Sequence, residues 1–188
     1  MIQMPGMVMV GGNSRNSGKT TLACSIIEKL SKTYEVIGLK LTSIRPGEDD
    51  KHGNHSEKIT SDFTIFEELD AGSLKDTSKM LRSGAKHVYY IHVTDTFAEN
   101  AILHFLSSYI NKELIVCESR SLRNIIEPGL FVMMLRETAI GSAKEISGYL
   151  KKANYVFDFD SQRDEIQHFI AELQFSDGQF KFNTPKNQ

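Results

Sequence analysis

The stretch Gly11-Gly12-Asn13-Ser14-Arg15-Asn16-Ser17-Gly18-Lys19-Thr20-Thr21 follows an apolar run at 7–11 and precedes Leu22, Ile26, Ile27 and Leu30, which recur at helical spacing. A glycine-containing turn between a buried strand and an amphipathic helix offers backbone N–H groups and a positive helix N-terminus to an anion. A polyphosphate that travels with magnesium also needs a flexible ammonium and a hydroxyl, and Gly18, Lys19 and Thr20 supply these in order. Asn13, Ser14, Arg15, Asn16, Ser17 and Thr21 complete the expected nucleotide-binding set. The strict pattern asks for glycine where this chain has Asn13, and Gly12 lies one place early. Asparagine tolerates positive φ better than most residues, so Asn13 and Asn16 are expected to stand in. The plain alternative is a polar strand-to-helix turn that happens to contain Gly-Lys-Thr.

Five further apolar runs of strand length follow, at 36–41, 87–93, 114–117, 130–135 and 155–159. Several are apolar at nearly every position, which suits strands buried on both faces, as parallel strands are. Helical patterns alternate with them. Ala98, Ala101, Ile102, Phe105, Leu106 and Tyr109 form one, and Ile166, Phe169, Ile170 and Leu173 another. Leu74, Met80 and Leu81 before Gly84, and Ala143, Ile146 and Leu150, suggest two more. The expected fold is α/β, an open and mainly parallel sheet with helices on both faces, in three layers. Residues 1–182 are expected to form one nucleotide-binding domain, with a polar insert at about 43–61 that could act as a lid or switch. The tail after Gly178, with Phe180 and Phe182, could add an edge strand, and 183–188 is expected to fray.

Composition narrows the function classes. At 188 residues the chain is long enough for a real core, and 22 basic against 24 acidic residues give a formal charge of −2. No global basic field argues for nucleic acid or an anionic membrane, so any anion site must be local. No apolar stretch approaches the roughly 20 residues of a bilayer span, and the expected location is cytoplasmic. Cys24 and Cys117 form no Cys-x-x-Cys pair and read as small buried hydrophobes in a reduced compartment. His52 and His55, near Asp49, Asp50 and Glu57, read as a solvated loop rather than a metal site.

A phosphate loop predicts an acid at the end of a neighbouring buried strand, where it can hold magnesium directly or through water. Glu118, after 114–117, occupies that position, so Thr20 and Glu118 are the expected metal-linked pair. Lys40, at the end of the second expected strand, joins the expected nucleotide-binding residues, since a cation there could approach a phosphate or pair with Glu118. Arg15 could reach a nucleotide across a dimer interface, or be simply solvated. No Asn-Lys-x-Asp is found for guanine, although Leu135-Arg136-Glu137-Thr138 and Phe157-Asp158-Phe159-Asp160 occupy comparable late loops where either could touch base or ribose. The choice between GTP and ATP stays open.

The phosphate loop, Lys40, Asp62-Phe63-Thr64-Ile65, Lys75-Asp76-Thr77 followed by Gly84-Ala85, and Glu118 occur in an order that resembles the molybdopterin-guanine dinucleotide biosynthesis protein B (MobB) family of P-loop NTPases. The resemblance covers about residues 7–135. It implies a dimeric protein that binds GTP, hydrolyses it slowly and assists guanylylation of the molybdenum cofactor. It further implies that Lys19 and Thr20 hold phosphate and magnesium, that Glu118 assists the metal, and that Asp62 or Asp76 lies near the nucleotide or the dimer seam. Lys19, Glu118 and Asp62 are thus the expected catalytic residues. The chain departs from the family in having Leu41-Thr42-Ser43 and a longer polar insert in place of a histidine-rich stretch, and Ser119-Arg120-Ser121-Leu122 where a glycine is expected.

The leading expectation is a magnesium-dependent nucleoside triphosphatase, for GTP or ATP, acting as a switch or accessory factor in cofactor or metal-centre assembly. Its partners would be the nucleotide, a second copy of the chain, and a protein or small molecule of unknown identity. A small-molecule kinase built on the same loop, and a non-catalytic module that uses nucleotide to order its loop, remain the alternatives.

Overall fold

A computed structural model describes residues 1–44, 62–136 and 146–182. Among these residues the main sheet has seven strands in the order β3-β4-β2-β5-β1-β6-β7. They are β1 (Ile2–Gly12), β2 (Val36–Ile44), β3 (Phe63–Glu67), β4 (His87–Thr94), β5 (Leu114–Glu118), β6 (Ile126–Leu135) and β7 (Tyr155–Asp158). Every pairing is parallel except β3 with β4. The helices are α1 (Lys19–Leu30), α2 (Asp76–Arg82), α3 (Ala98–Tyr109), α4 (Ser147–Leu150) and α5 (Arg163–Glu172). None of the described helices is long and apolar enough to cross a membrane.

The pleat divides the core in two. Val8 and Val10 of β1 face the layer built by Leu22, Ile26 and Ile27 of α1, Met80 of α2 and Phe169 of α5. Met7 and Met9, one residue out of phase, face Ala101, Ile102 and Phe105 of α3. Both faces of the central strands are therefore buried, as their continuous apolar runs require. Cys117 is fully buried in the second layer and Cys24 is half-buried beside the first; burial pushes both thiols above their ordinary range.

Several elements differ from the sequence expectation. β1 begins at Ile2 rather than at Met7, because its first residues alternate between half-buried and exposed and pair with Ile126 to Pro128 before a register shift. β2 runs through Thr42 and Ser43 to Ile44, whose backbone pairs with Thr94. The rest of the expected insert, with His52 and His55, lies outside the described residues, as do Glu137, Thr138, Ala143 and the 183–188 tail. Leu74 is 86% exposed ahead of α2, and Leu173 opens a strand instead of closing α5. The Phe180 and Phe182 segment does not extend the main sheet: β8 (Leu173–Ser176) and β9 (Gln179–Phe182) form a separate antiparallel pair, with Asp177 and Gly178 both at positive φ in the turn.

Candidate functional site

The C-terminal rim of the parallel strands, where β1 crosses into α1, gathers most of the expected site. Gly18 has φ +85, and α1 begins there without a side-chain cap and without an acidic residue in its first turn. The helix thus meets the loop with its first-turn N–H groups and positive end directed at it. A Cβ built on Gly18 would lie 2.1 Å from the Phe159 ring, so glycine is required there by conformation and by space together. Asn16 also takes a positive φ, of 60, as expected, whereas Asn13 does not.

Asn13 does something else. Its Nδ2 donates to the Arg136 carbonyl at 3.1 Å, its Oδ1 accepts from the Arg136 N–H at 3.2 Å, and its own N–H donates to the Met134 carbonyl at 3.2 Å. The side chain continues the β1 to β6 ladder past the strand ends. The residue in the place of the missing glycine fastens the loop to β6 rather than bending it.

Lys19 curls back over the loop, donating from Nζ to the Ser14 carbonyl at 2.6 Å and to Ser17 Oγ at 3.3 Å. Ser17 Oγ in turn donates to the Ser14 carbonyl at 3.1 Å. Burial pushes the Lys19 ammonium below its ordinary value, against the opposing pull of Glu118. A cation desolvated in this way gains from an anion placed beside it.

Thr20 Oγ1 donates to Glu118 Oε2 at 2.7 Å. Glu118, only 6% exposed, is the last residue of β5 and stands level with Val10 of β1 and Lys40 of β2. Lys40 Nζ lies 3.5 Å from Glu118 Oε1 and 2.5 Å from Asp76 Oδ2, and Lys79 holds the other Asp76 oxygen at 3.0 Å. Burial alone would lower the Lys40 ammonium, but Glu118 and Asp76 outweigh it and raise it. Burial likewise acts to raise the Asp76 carboxyl, and the bonds from Lys40 and Lys79 overcome it, leaving it below the ordinary range. The result is a chain of alternating charge, Glu118, Lys40, Asp76 and Lys79, running from the phosphate loop to the first turns of α2.

Asp62 is not brought into this cluster. It is exposed just ahead of β3, and β4, β2 and β5 lie between that strand and β1. Arg136 carries more of this rim than its place in a late loop suggests. Its Nη1 donates to the Asn16 carbonyl at 2.7 Å, its Nε and Nη2 grip both oxygens of Asp160 at 2.9 and 2.8 Å, and its guanidinium lies 4.9 Å from the Phe159 ring centroid. The only signal was its place in a late loop at the ligand edge. Its partners are 24 and 120 residues away along the chain. Arg120, in the segment where a glycine was expected, donates to the Gly12 carbonyl at 3.2 Å and lies 5.1 Å from the Tyr149 ring centroid.

No family model matches the chain, and no curated protein does. Among solved structures it is similar to the "apo" form of LpxK from Aquifex aeolicus in complex with ATP, with a TM-score of 0.52 and 17% identity. The match covers 95% of this chain and 54% of that one, so the chain spans about half the length of LpxK. At that identity the likeness bears on fold alone. The mostly parallel seven-stranded sheet, covered by helices on both faces and carrying its glycine-lysine-threonine loop between β1 and α1, has the P-loop NTPase fold.

Proposed function

We propose that the chain binds a nucleoside triphosphate with magnesium at the Gly11 to Thr21 loop and hydrolyses it slowly, as a switch or accessory factor in cofactor or metal-centre assembly. The observation that carries the reading is the meeting of Thr20 and Glu118 at 2.7 Å, from residues 98 apart in the chain, within electrostatic reach of the Lys19 ammonium. A hydroxyl and a buried carboxylate are hard oxygen donors, and this set fits magnesium, which takes few protein ligands and keeps several waters. Thr20 and Glu118 would hold the ion. Bound magnesium would supply charge neutralisation for the phosphates.

The chain's own contribution is positioning. Lys19 would leave the Ser14 carbonyl for the phosphates, and the first-turn N–H groups of α1 would cradle them. Lys40 lies close enough to Glu118 to add positive charge on the β2 side. The ATP bound by LpxK favours ATP as the first nucleotide to test, with GTP beside it because of the MobB resemblance. Isothermal titration of Lys19→Ala tests the site: affinity for both nucleotides should be lost, and unchanged affinity would refute the assignment. Light scattering with and without nucleotide tests the homodimer that the resemblance implies.

A second reading, phosphoryl transfer to a bound acceptor, draws on Asp76, a second carboxylate near the phosphate loop. It also draws on the open groove of about 640 Å³ that runs between α1 and α2 from Thr20 and Cys24 to Lys79 and Arg82. Phosphate release from nucleotide alone supports hydrolysis. Release or label transfer only after a metabolite pool is added supports a kinase.

A further inference from the structure

Arg136 joins three segments that are distant in sequence. Its main chain is tied to Asn13 by two hydrogen bonds, at the start of the phosphate loop. Its guanidinium caps the carbonyl of Asn16, the loop's positive-φ residue. Two further guanidinium nitrogens are held by Asp160 in the turn between β7 and α5. Phe159 lies between, against Gly18 on the loop and near the guanidinium of Arg136, and its N–H donates to the Leu135 carbonyl. The loop is therefore braced at its beginning, its apex and its end by one residue and that residue's neighbours.

A loop that binds an anion through backbone N–H groups works only while those groups converge, and holding a non-glycine residue at positive φ costs free energy that something must offset. A bidentate arginine to carboxylate pair fixes the direction of the guanidinium as well as its distance. Its Nη1 is thereby aimed at the Asn16 carbonyl. Arg136 bonds to the loop's oxygen and points none of its described bonds at the space where phosphates would lie.

We propose that Arg136, oriented by Asp160, is a positioning residue that holds the phosphate loop open for the triphosphate moiety itself, acting on the loop rather than on the base. The proposal rests on the nucleotide-binding reading above. It states that the latch contributes equally to any ligand carrying the triphosphate, whatever is attached to it.

The test is titration calorimetry of the full chain, in magnesium, with ATP, GTP and inorganic tripolyphosphate, on wild type, R136A, R136K and D160N. R136A should weaken whichever nucleotide binds and tripolyphosphate by the same factor, about tenfold for a lost charge-assisted bond. R136K, which keeps one donor for Asn16 but not the bidentate grip, should fall between. D160N should weaken both ligand types severalfold although it removes a negative charge, because Arg136 loses its anchor. A loss confined to nucleotides would make Arg136 a base contact and overturn the proposal. Tighter binding by D160N would mean that a freed Arg136 touches phosphate directly, and would also overturn it, as would unchanged affinity in R136A. If R136A does not fold, R136K and D160N carry the same decision. A wild type that binds none of the three ligands removes the nucleotide-binding reading, and this proposal with it, whereas wild-type binding with an indifferent Arg136 removes the proposal alone.

Discussion

The two flanks of the phosphate loop are built on opposite principles. On the β2 and β5 side, Glu118, Lys40 and Asp76 form a partly buried charge chain that leads from Thr20 to α2. On the β6 and β7 side, Arg136 and Asp160 form a more exposed pair whose work is to orient backbone, through Asn13, Asn16 and the ring of Phe159. The first flank holds charges paired with one another, Glu118 and Asp76 with Lys40 between them. The second supplies shape. Charges belong where the local dielectric is low and their effect is large, whereas a brace can sit at the surface because its geometry, not its Coulomb energy, is what matters.

Gly18 lies where the loop meets Phe159 and enters α1, and its replacement should have the largest effect. Gly18→Ala places a Cβ into the Phe159 ring at a φ of +85, and we expect a loss of about 3 kcal/mol or more together with loss of nucleotide binding. Denaturant unfolding and titration measure both, and a loss of stability below about 1 kcal/mol would mean that Phe159 yields freely.

Next comes the charged flank. Lys40→Met leaves Glu118 and Asp76 without their shared cation, which should cost about 3 kcal/mol for a mostly buried partner. If Thr20 and Glu118 hold magnesium as proposed, magnesium added alone should recover part of the melting temperature in this variant, more than in the wild type, because the ion would restore positive charge beside Glu118. Equal shifts in the two proteins would separate Lys40 from the metal position.

The bracing flank gives a smaller and less intuitive result. Asn13→Gly makes the loop match the strict phosphate-loop pattern more closely, yet it removes both side-chain bonds to Arg136. We expect it to destabilise by about 1 kcal/mol, in denaturant unfolding, rather than to stabilise. A gain in stability would show that the side-chain extension of the ladder contributes nothing.

The smallest expected effect is acid sensitivity. The Asp76 carboxyl is held below its ordinary value of 3.8, so its pairing stabilises the fold fully above about pH 4 and fades as pH falls through the lowered folded-state value. Asp76→Asn should therefore flatten the stability profile at the acid end while lowering it slightly at neutral pH. An unchanged acid limb would assign that sensitivity to other carboxylates.

Much of this was legible because it is local or periodic. The loop and α1 are contiguous, Glu118 follows one apolar run and Lys40 lies late in another, and such runs suit buried parallel strands, so Thr20, Glu118 and Lys40 meet at one rim beside the loop that carries Lys19. Asp76, implied by the resemblance, joined them through α2. What failed lacked such a signal. β3 is a half-buried edge strand of five residues with no alternation to mark it, and Pro128 and Gly129 hid the first part of β6. Leu173 fits a helical stripe as well as a strand end, and tertiary pairing with Phe182 decided between them. Asp62 was placed by order along the chain, but order says nothing of the three strands that separate its edge from β1. The Arg136 brace depends on contacts across 120 residues, which no local pattern encodes.

The reversed direction of β3 has an architectural effect. The backbone leaves the sheet at Ile44, level with Thr94, and re-enters at Phe63, level with Val93, so both posts of the intervening connection stand on the rim that carries the phosphate loop. Residues inserted or deleted between those posts shift no strand against its neighbour. A lineage could thus vary the length and sequence of that connection while the seven strands keep their register.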